Sequence, residues 1–392
     1  MKQKIQTKKL LLIITLFWFT QYIHVPLQAV YLDSLQLSSL FIGIVIGVYG
    51  IAQLALRLPV GVGADRNGNH KFFIAIGMVF ASLAGAFRLF LPNGIGFLIA
   101  NILSGAASAM WISFMVLYSN YFTANEQRKA MTKSILANAT GIMSAFIAST
   151  LLNQLVEIYY INALAILSGS VGFFLVLGLD KPETKEVVED VKSLLTVVKN
   201  KKLIFFSGLG LVKQGVQMAT VMSFTSQVMV NLGATHAQVG ISTIVFMASS
   251  VVLGRIAATE GFINKFKKEF LIPAIFIAIA LYCIMIPRST TVAQIYFLQT
   301  LPALANGVLF GIITAEAMSE ITKEKKSTAM GFFQAIYAIG MTLFPAISGF
   351  VGGISSLTHA FYFLALSSFF AGFAALSYYW KEQRKEKQKN VG

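Results

Sequence analysis

One lysine of this chain sits inside an otherwise apolar stretch. Lys213 falls ten residues into the run 203–230, with Gln214 beside it and Gln217 four residues on, on the same face of a helix. An ionisable side chain placed so deep in apolar sequence must face a cavity or a partner. Two chemistries suit it: pairing with an anionic or carboxylated solute, or giving up and regaining a proton, which would couple a process to pH. The plainer reading is a structural lysine bonded to neighbouring helices or snorkelling to a membrane edge. A second polar stripe comes earlier. Gln21, His24 and Gln28 are spaced by three and four residues, again one helix face. His24 suits a proton switch, since an unperturbed imidazole titrates at about 6.5; a hydrogen-bonded packing histidine is the alternative. Trp111, Gln334 and Tyr337 fit the lining of the same cavity, or plain helix packing.

The elements that must position these residues are helices of membrane length. Hydrophobic residues make up 56% of the 392 positions and charged residues only 12%, against roughly 25% charged in a soluble domain. That composition excludes intrinsic disorder and a soluble nucleic-acid binder. The single cysteine, Cys283, cannot form an internal disulfide and reads as a small packing residue. Crossing a bilayer takes about 20 helical residues, and in lipid an apolar run of that length must be a helix. Twelve such runs are expected, near 10–32, 37–60, 72–91, 95–121, 130–155, 159–179, 203–230, 237–259, 270–287, 291–318, 327–351 and 356–380. The first is longer than a signal-peptide core and lacks an A-x-A-like site after it, so it reads as a retained span.

Charge gives the orientation. The net charge is +15, and all 31 Lys and Arg except Arg88, Lys213 and Arg288 fall on one side of a twelve-span arrangement. By the positive-inside rule that side is cytoplasmic, and both termini lie there. Arg57, Arg66 and Lys71 are read as flanking the loop between spans 2 and 3. Arg88 and Glu157 are read as anchors at the opposite rim. Glu316 and Glu320 are expected to pair with Lys323 or Arg255.

The second half echoes the first. Leu35–Ser38 with Gly43 matches Leu232–Thr235 with Gly240 at an offset of 197, and Arg57 matches Arg255 at 198. Gln21 and His24 match Gln214 and Gln217 at 193. Two parallel six-span repeats are an organisation of secondary transporters, with the solute site between the halves near the midplane. The units expected are an N-terminal half 1–179, a linker 180–202 that holds a surface helix, a C-terminal half 203–380 and a basic tail 381–392.

After span 2 the chain reads Gly61-Val-Gly63-Ala-Asp65-Arg66-Asn-Gly68-Asn-His70-Lys71. This resembles the G-x-x-x-D-R-x-G-x-[RK]-[RK] signature of the major facilitator superfamily, matching at Gly61, Asp65, Arg66, Gly68 and Lys71. The resemblance implies an all-α integral membrane fold of twelve transmembrane helices in two pseudo-symmetric six-helix bundles. It also implies that Asp65 gates the cytoplasmic side against the start of span 11 and a basic residue of the 4–5 loop, here Arg128. Two features depart from the superfamily's drug/proton antiporters. Asn101-Ile-Leu-Ser104-Gly105 stands where they carry R-x-x-Q-G, and span 5 lacks their G-P-x-x-G-G ending.

Neither a Walker-type phosphate loop nor a metal-ligand cluster occurs in the sequence, so no cofactor is expected and a gradient must supply the energy. The reading is a monomeric secondary transporter of the inner-membrane type. It would export a small organic solute coupled to protons; uptake of an organic anion with protons is the alternative. A polytopic membrane enzyme is the remote rival, because it would need paired carboxylates or a histidine cluster at one membrane face, and the acids here are scattered.

Overall fold

The computed structural model describes residues 2–67, 69–122, 127–180, 196–257, 266–321 and 325–389. We number the twelve long helical elements in chain order: α1 (Lys2–Tyr22 and Val25–Ser34), α2 (Ser39–Asn67), α3 (His70–Phe90), α4 (Gly94–Ala109 and Trp111–Asn120), α5 (Gln127–Leu152) and α6 (Asn162–Leu177). The last six are α7 (Lys201–Ala219 and Thr225–Asn231, joined by a π turn Thr220–Phe224), α8 (His236–Ala257), α9 (Lys268–Met285), α10 (Val292–Leu298, Thr300–Leu304, a π turn Ala305–Leu309 and Phe310–Met318), α11 (Lys326–Ile354) and α12 (Leu357–Lys389). Among the described residues eleven stretches are long and apolar enough to cross a membrane. The remaining element, α7, matches them in length but carries Lys213, Gln214, Gln217 and Gln227, which lower its hydropathy. The surface helix expected in the linker falls on residues 181–195, which lie outside the described residues.

Local sequence explains the breaks. α1 is interrupted at Ile23 and His24, and Pro26 occupies the first turn of its second segment, where a missing N–H costs nothing. Asn93 caps α4 by accepting from the Gly96 amide at 3.0 Å. Thr291 and Gln294 form a reciprocal capping box that starts α10.

Lipid offers no hydrophobic drive for helix association, so small residues set the close contacts. α2 packs along α11 through Gly43, Gly47 and Gly50. A Cβ on any of these would collide with the main chain of Pro345, Thr342 or Ala338. Gly349 meets Ser39 in the same seam, and Gly240 of α8 meets Thr150 of α5. The second segment of α1 lies against the second segment of α7 and its π turn. These contacts join the first six helices to the last six at the end opposite the chain termini. Large apolar side chains on the outer faces, such as Phe174, Phe297, Phe370 and Phe373, are exposed; lipid contact accounts for them. Cys283 is fully buried, as expected of a packing residue.

At the end bearing the termini, lysines satisfy helix ends. Lys71 donates to the carbonyls of Leu177 (2.7 Å) and Leu179 (2.9 Å), and Lys9 donates to that of Gly178 (2.8 Å). Both complete the C-terminus of α6, whose last carbonyls have no helical partner. Glu316 pairs with Lys268 (2.7 Å) and Lys202 (3.4 Å), and Glu320 with Lys202 (3.9 Å). The acids are therefore paired structurally, but with lysines that α7 and α9 bring in, not with Arg255, which is exposed. The other expected partner, Lys323, lies outside the described residues.

Candidate solute site

Lys213 is 2% exposed, and its ammonium ends inside the helical body. It donates to Gln214 Oε1 (3.0 Å), Gln217 Oε1 (2.6 Å) and Asn306 Oδ1 (3.2 Å). It does not snorkel. Asn306 belongs to the π turn of α10, a geometry that recurs at functional sites. One turn on, the ring of Phe310 lies 4.8 Å from the Lys213 ammonium, a cation–π contact. The three acceptors are neutral amides, so the charge is solvated but not neutralised.

Arg57 corrects the sequence reading. It is not a loop-flanking mark of orientation. α2 continues to Asn67, ten residues further, which sets Arg57 about 15 Å in from the helix end. It is 5% exposed. Its guanidinium donates to Gln53 on its own helix and to Gln334 and Tyr337 of α11, the last at 3.0 Å. Its central carbon lies 5.2 Å from the Tyr337 ring centroid. Tyr337 in turn meets Phe310 edge-on, with centroids 6.0 Å apart. An aromatic pair thus stands between the two buried cations. Among the described residues no carboxylate pairs with either of them.

The first six helices supply an aromatic wall. Tyr22 lies beside Tyr49 and within electrostatic reach of Tyr337 and Arg57. Tyr49 bonds Ser108 at 2.8 Å, and Gln21 donates to the same hydroxyl at 3.2 Å. Trp18 links Tyr22 (5.6 Å) to Trp111 (5.2 Å). Gln21, Trp111, Lys213, Gln214, Gln217, Gln334 and Tyr337 therefore join one continuous cluster across both sets of helices. Tyr22, Tyr49, Trp111, Gln214, Gln217, Asn306 and Phe310 are half-buried within it, so it lines a space and does not form a solid core.

His24 stands apart, toward the closed end. It is 8% exposed and within electrostatic reach of Arg88, and its Nδ1 has no hydrogen-bond partner. Arg88 is the second correction. It is not a rim anchor but is 1% exposed, donating to Asn101 Oδ1 (2.6 Å) and Ser104 Oγ (3.0 Å) of α4. Glu157 is exposed, as expected. Of the loop motif, Gly61, Asp65 and Arg66 lie in the helical backbone of α2, and Arg128 in that of α5. Their side chains, and Gly68 altogether, lie outside the described structure; Lys71 caps α6.

Sequence reasoning missed Tyr22, Gln53, Tyr49, Asn306 and Phe310. The spacing of Gln53 and Arg57, four residues apart within an apolar helix, was an available signal. Asn306 and Phe310 carried none, because Lys213, which both contact, lies 93 residues from Asn306 in sequence and further still from Phe310.

A body of twelve bilayer-length helices, with a polar and aromatic cluster held between its two sets of six, is the organisation of a membrane transporter. The family model described as Major Facilitator Superfamily matches residues 10–260 and again 210–392, and the chain belongs to this superfamily. It is 24% identical over 371 residues to an uncharacterized MFS-type transporter, MJ1560, of Methanocaldococcus jannaschii, covering 88% of this chain and 91% of that protein. Among solved structures it resembles the nucleoside transporter NupG, with a TM-score of 0.74 at 16% identity, covering 96% and 99% of the two chains. It also resembles a bacterial homolog of the human lysosomal transporter Spinster, in an inward-facing and occupied conformation. There the TM-score is 0.72 at 12% identity, covering 98% and 97%. At such identities the likeness is one of fold. Family and neighbours are transporters, not enzymes.

Proposed function

We propose that this transporter carries a small organic anion together with a proton, binding the anion between Lys213 and Arg57. The observation that carries the reading is the pair of buried cations that have only neutral partners among the described residues. A buried charge without a counter-charge is unfavourable, and the carboxylate or other anionic group of a solute supplies one. Phe310, Tyr337 and Tyr22 offer flat apolar surface to the rest of the molecule, while Gln214, Gln217 and Gln334 offer hydrogen bonds.

The same chemistry bears on coupling. A guanidinium is a permanent cation, whereas a lysine exists in two protonation states. If Lys213 must be protonated to hold the anion, proton and anion enter from one side and leave on the other. That favours uptake by symport, the alternative of the sequence reading, over proton-coupled export. His24 is the other proton carrier in this scheme. The basic end faces the cytoplasm of a bacterial-type inner membrane, both termini lie there, and the chain works as a monomer. In that orientation the site opens inward, because the two sets of helices close on each other at the opposite end. Asp65 and Arg128 gate the inner end.

The test is a panel of radiolabelled organic anions, cations and neutral solutes offered to proteoliposomes under an imposed pH gradient. Anion uptake driven by an inward proton gradient and abolished by a protonophore is expected. Transport restricted to cationic or neutral solutes would overturn the anion site, and anion uptake that accelerates when the proton gradient points outward would overturn the symport direction.

A further inference from the structure

At the end opposite the chain termini, a cavity of about 470 Å³ opens beside the seam between the two sets of helices. That volume is of the size that holds small molecules. Three pieces of chain build it. Tyr31 and Ser34 come from the last turn of α1. Asn153, Gln154 and Glu157 come from the turn after α5, before a short 3₁₀ helix (Ile158–Ile161) leads into α6. His236 comes from the first turn of α8. Gly233 reverses the chain ahead of it in a left-handed conformation (φ 82°). Thr235 and Gln238 then cap the start of α8 reciprocally, at 2.8 and 3.3 Å, which fixes where His236 stands. The lining therefore draws on both halves of the repeat, and His236 is the contribution of the last six helices.

Much of the polar lining is unused. The Tyr31 and Ser34 hydroxyls donate to the carbonyls of Pro92 and Tyr31, each at 2.7 Å. The side chains of Asn153, Gln154, Glu157 and His236 make no hydrogen bond or ion pair among the described residues. They are also reachable: Gln154, Glu157 and His236 are exposed and Asn153 is half-buried. Charge selects the ligand. Glu157 is the one carboxylate of the lining, and no Lys or Arg joins it. Asp33, next to Ser34, adds a second exposed carboxylate just outside the lining, without an ion pair among the described residues. An ammonium group gains a charge-assisted hydrogen bond to Glu157. The amide oxygens of Asn153 and Gln154 and a ring nitrogen of His236 can accept its other N–H groups. Leu155 and Val156, both exposed, offer apolar surface to a hydrocarbon portion. A bare metal ion fits poorly, since among the described residues no three His, Cys, Asp or Glu side chains are grouped to hold one.

We propose that this cavity binds a small organic ammonium ion, held by Glu157 of the first half and His236 of the second. The ligand has the opposite charge to the solute proposed for Lys213 and Arg57, so it is not the cargo, and the assignment does not depend on which solute the centre carries. Because the two halves share the lining, the ligand binds best while they meet at this end, and its binding favours that state. The site is regulatory: an amine at this face holds the transporter closed there. A free amine and the ethanolamine headgroup of a phospholipid share this chemistry, and the test separates them.

The test uses the purified full-length chain in an amine-free buffer, with benzylammonium as probe and benzoate and benzyl alcohol as anionic and neutral controls of the same shape. Thermal unfolding is followed in detergent. Spin labels at Leu40→Cys and Ile354→Cys, outside the cavity, report the separation of α2 and α11 at this end. Benzylammonium should raise the melting temperature along a saturating curve and enrich the short label distances, and the two controls should do neither. Glu157→Gln alters an exposed side chain without a partner, so it should fold; its apparent affinity for benzylammonium should drop about tenfold, the scale of a hydrogen bond to a charged group. His236→Ala should weaken binding as well, and Lys213→Ala should leave it intact. In phosphatidylglycerol nanodiscs, added phosphatidylethanolamine should leave benzylammonium binding unchanged if a free amine is the ligand, and should suppress it if the headgroup is. An equal response to benzoate or benzyl alcohol, full retention of binding in Glu157→Gln, or no response to benzylammonium would each overturn the assignment.

Discussion

Arg57 and Tyr337 tie α2 to α11 in two ways at once: the guanidinium donates to the phenol hydroxyl at 3.0 Å, and its carbon lies 5.2 Å from the ring centroid. The two residues lie in opposite halves of the repeat, so any rocking of one half against the other must stretch or release this contact.

That dual contact separates two substitutions. Tyr337→Phe keeps the ring and loses the hydroxyl acceptor, a net change of about 1 kcal/mol. Solute affinity measured by competition in proteoliposomes should weaken about fivefold. Arg57→Ala removes the permanent positive charge of the site, and anion transport should fall at least tenfold while expression and monodispersity persist. Equal effects of the two variants would contradict a charge-based role for Arg57.

Lys213→Arg preserves a cation but replaces a group that can release its proton with one that cannot. Anion exchange across the vesicle membrane, with solute on both sides, should continue. Net accumulation driven by a proton gradient should be lost. Accumulation at the wild-type level would show that Lys213 does not carry the coupling proton.

The glycine seam makes a conformational prediction. A methyl at Gly43 collides with the Pro345 carbonyl, and one at Gly240 meets the Thr150 side chain. Overpacking of this kind costs about 1–3 kcal/mol, and here that cost falls only on the state closed at this end. Gly43→Ala should therefore raise the population open at this end, read as longer spin-label distances across α2 and α11 there. Transport should slow because the return step is penalised. Unchanged distances would mean that the seam adjusts locally.

Lys71 belongs to a loop signature, yet it completes the end of α6. Lys71→Ala should lower the melting temperature by a few degrees through loss of about 1 kcal/mol of C-terminal capping. Lys71→Arg should recover most of it. A transport defect in Lys71→Ala with no change in melting would assign the residue to gating alone.

Much of this architecture was legible from hydropathy. Backbone polar groups must pair internally in lipid, so each apolar run had one available form, and the helices follow the expected runs closely. The grouping of Lys213 with Gln214 and Gln217 was visible because it is local. Arg57 was misread because the positive-inside argument treats a basic residue near the end of a span as outside it, and α2 is longer than one bilayer crossing. Arg88 was misread likewise. At a span's edge, sequence does not tell a guanidinium turned inward to Asn101 from one turned outward to lipid headgroups. The union of Lys213 with Asn306 depends on a π turn, which changes helix phase without leaving a compositional trace.

The seam between α2 and α11 has one more consequence. Where Gly43, Gly47, Gly50 and Gly349 meet their partners, the contact is made by main-chain atoms and small side chains, and among the described residues no ion pair crosses between the halves. Contacts of that kind respond little to ionic strength or to external acidity. The seal at the end opposite the chain termini is therefore indifferent to the salt and acidity of the medium it faces, and the decision to open it is left to what the protein binds.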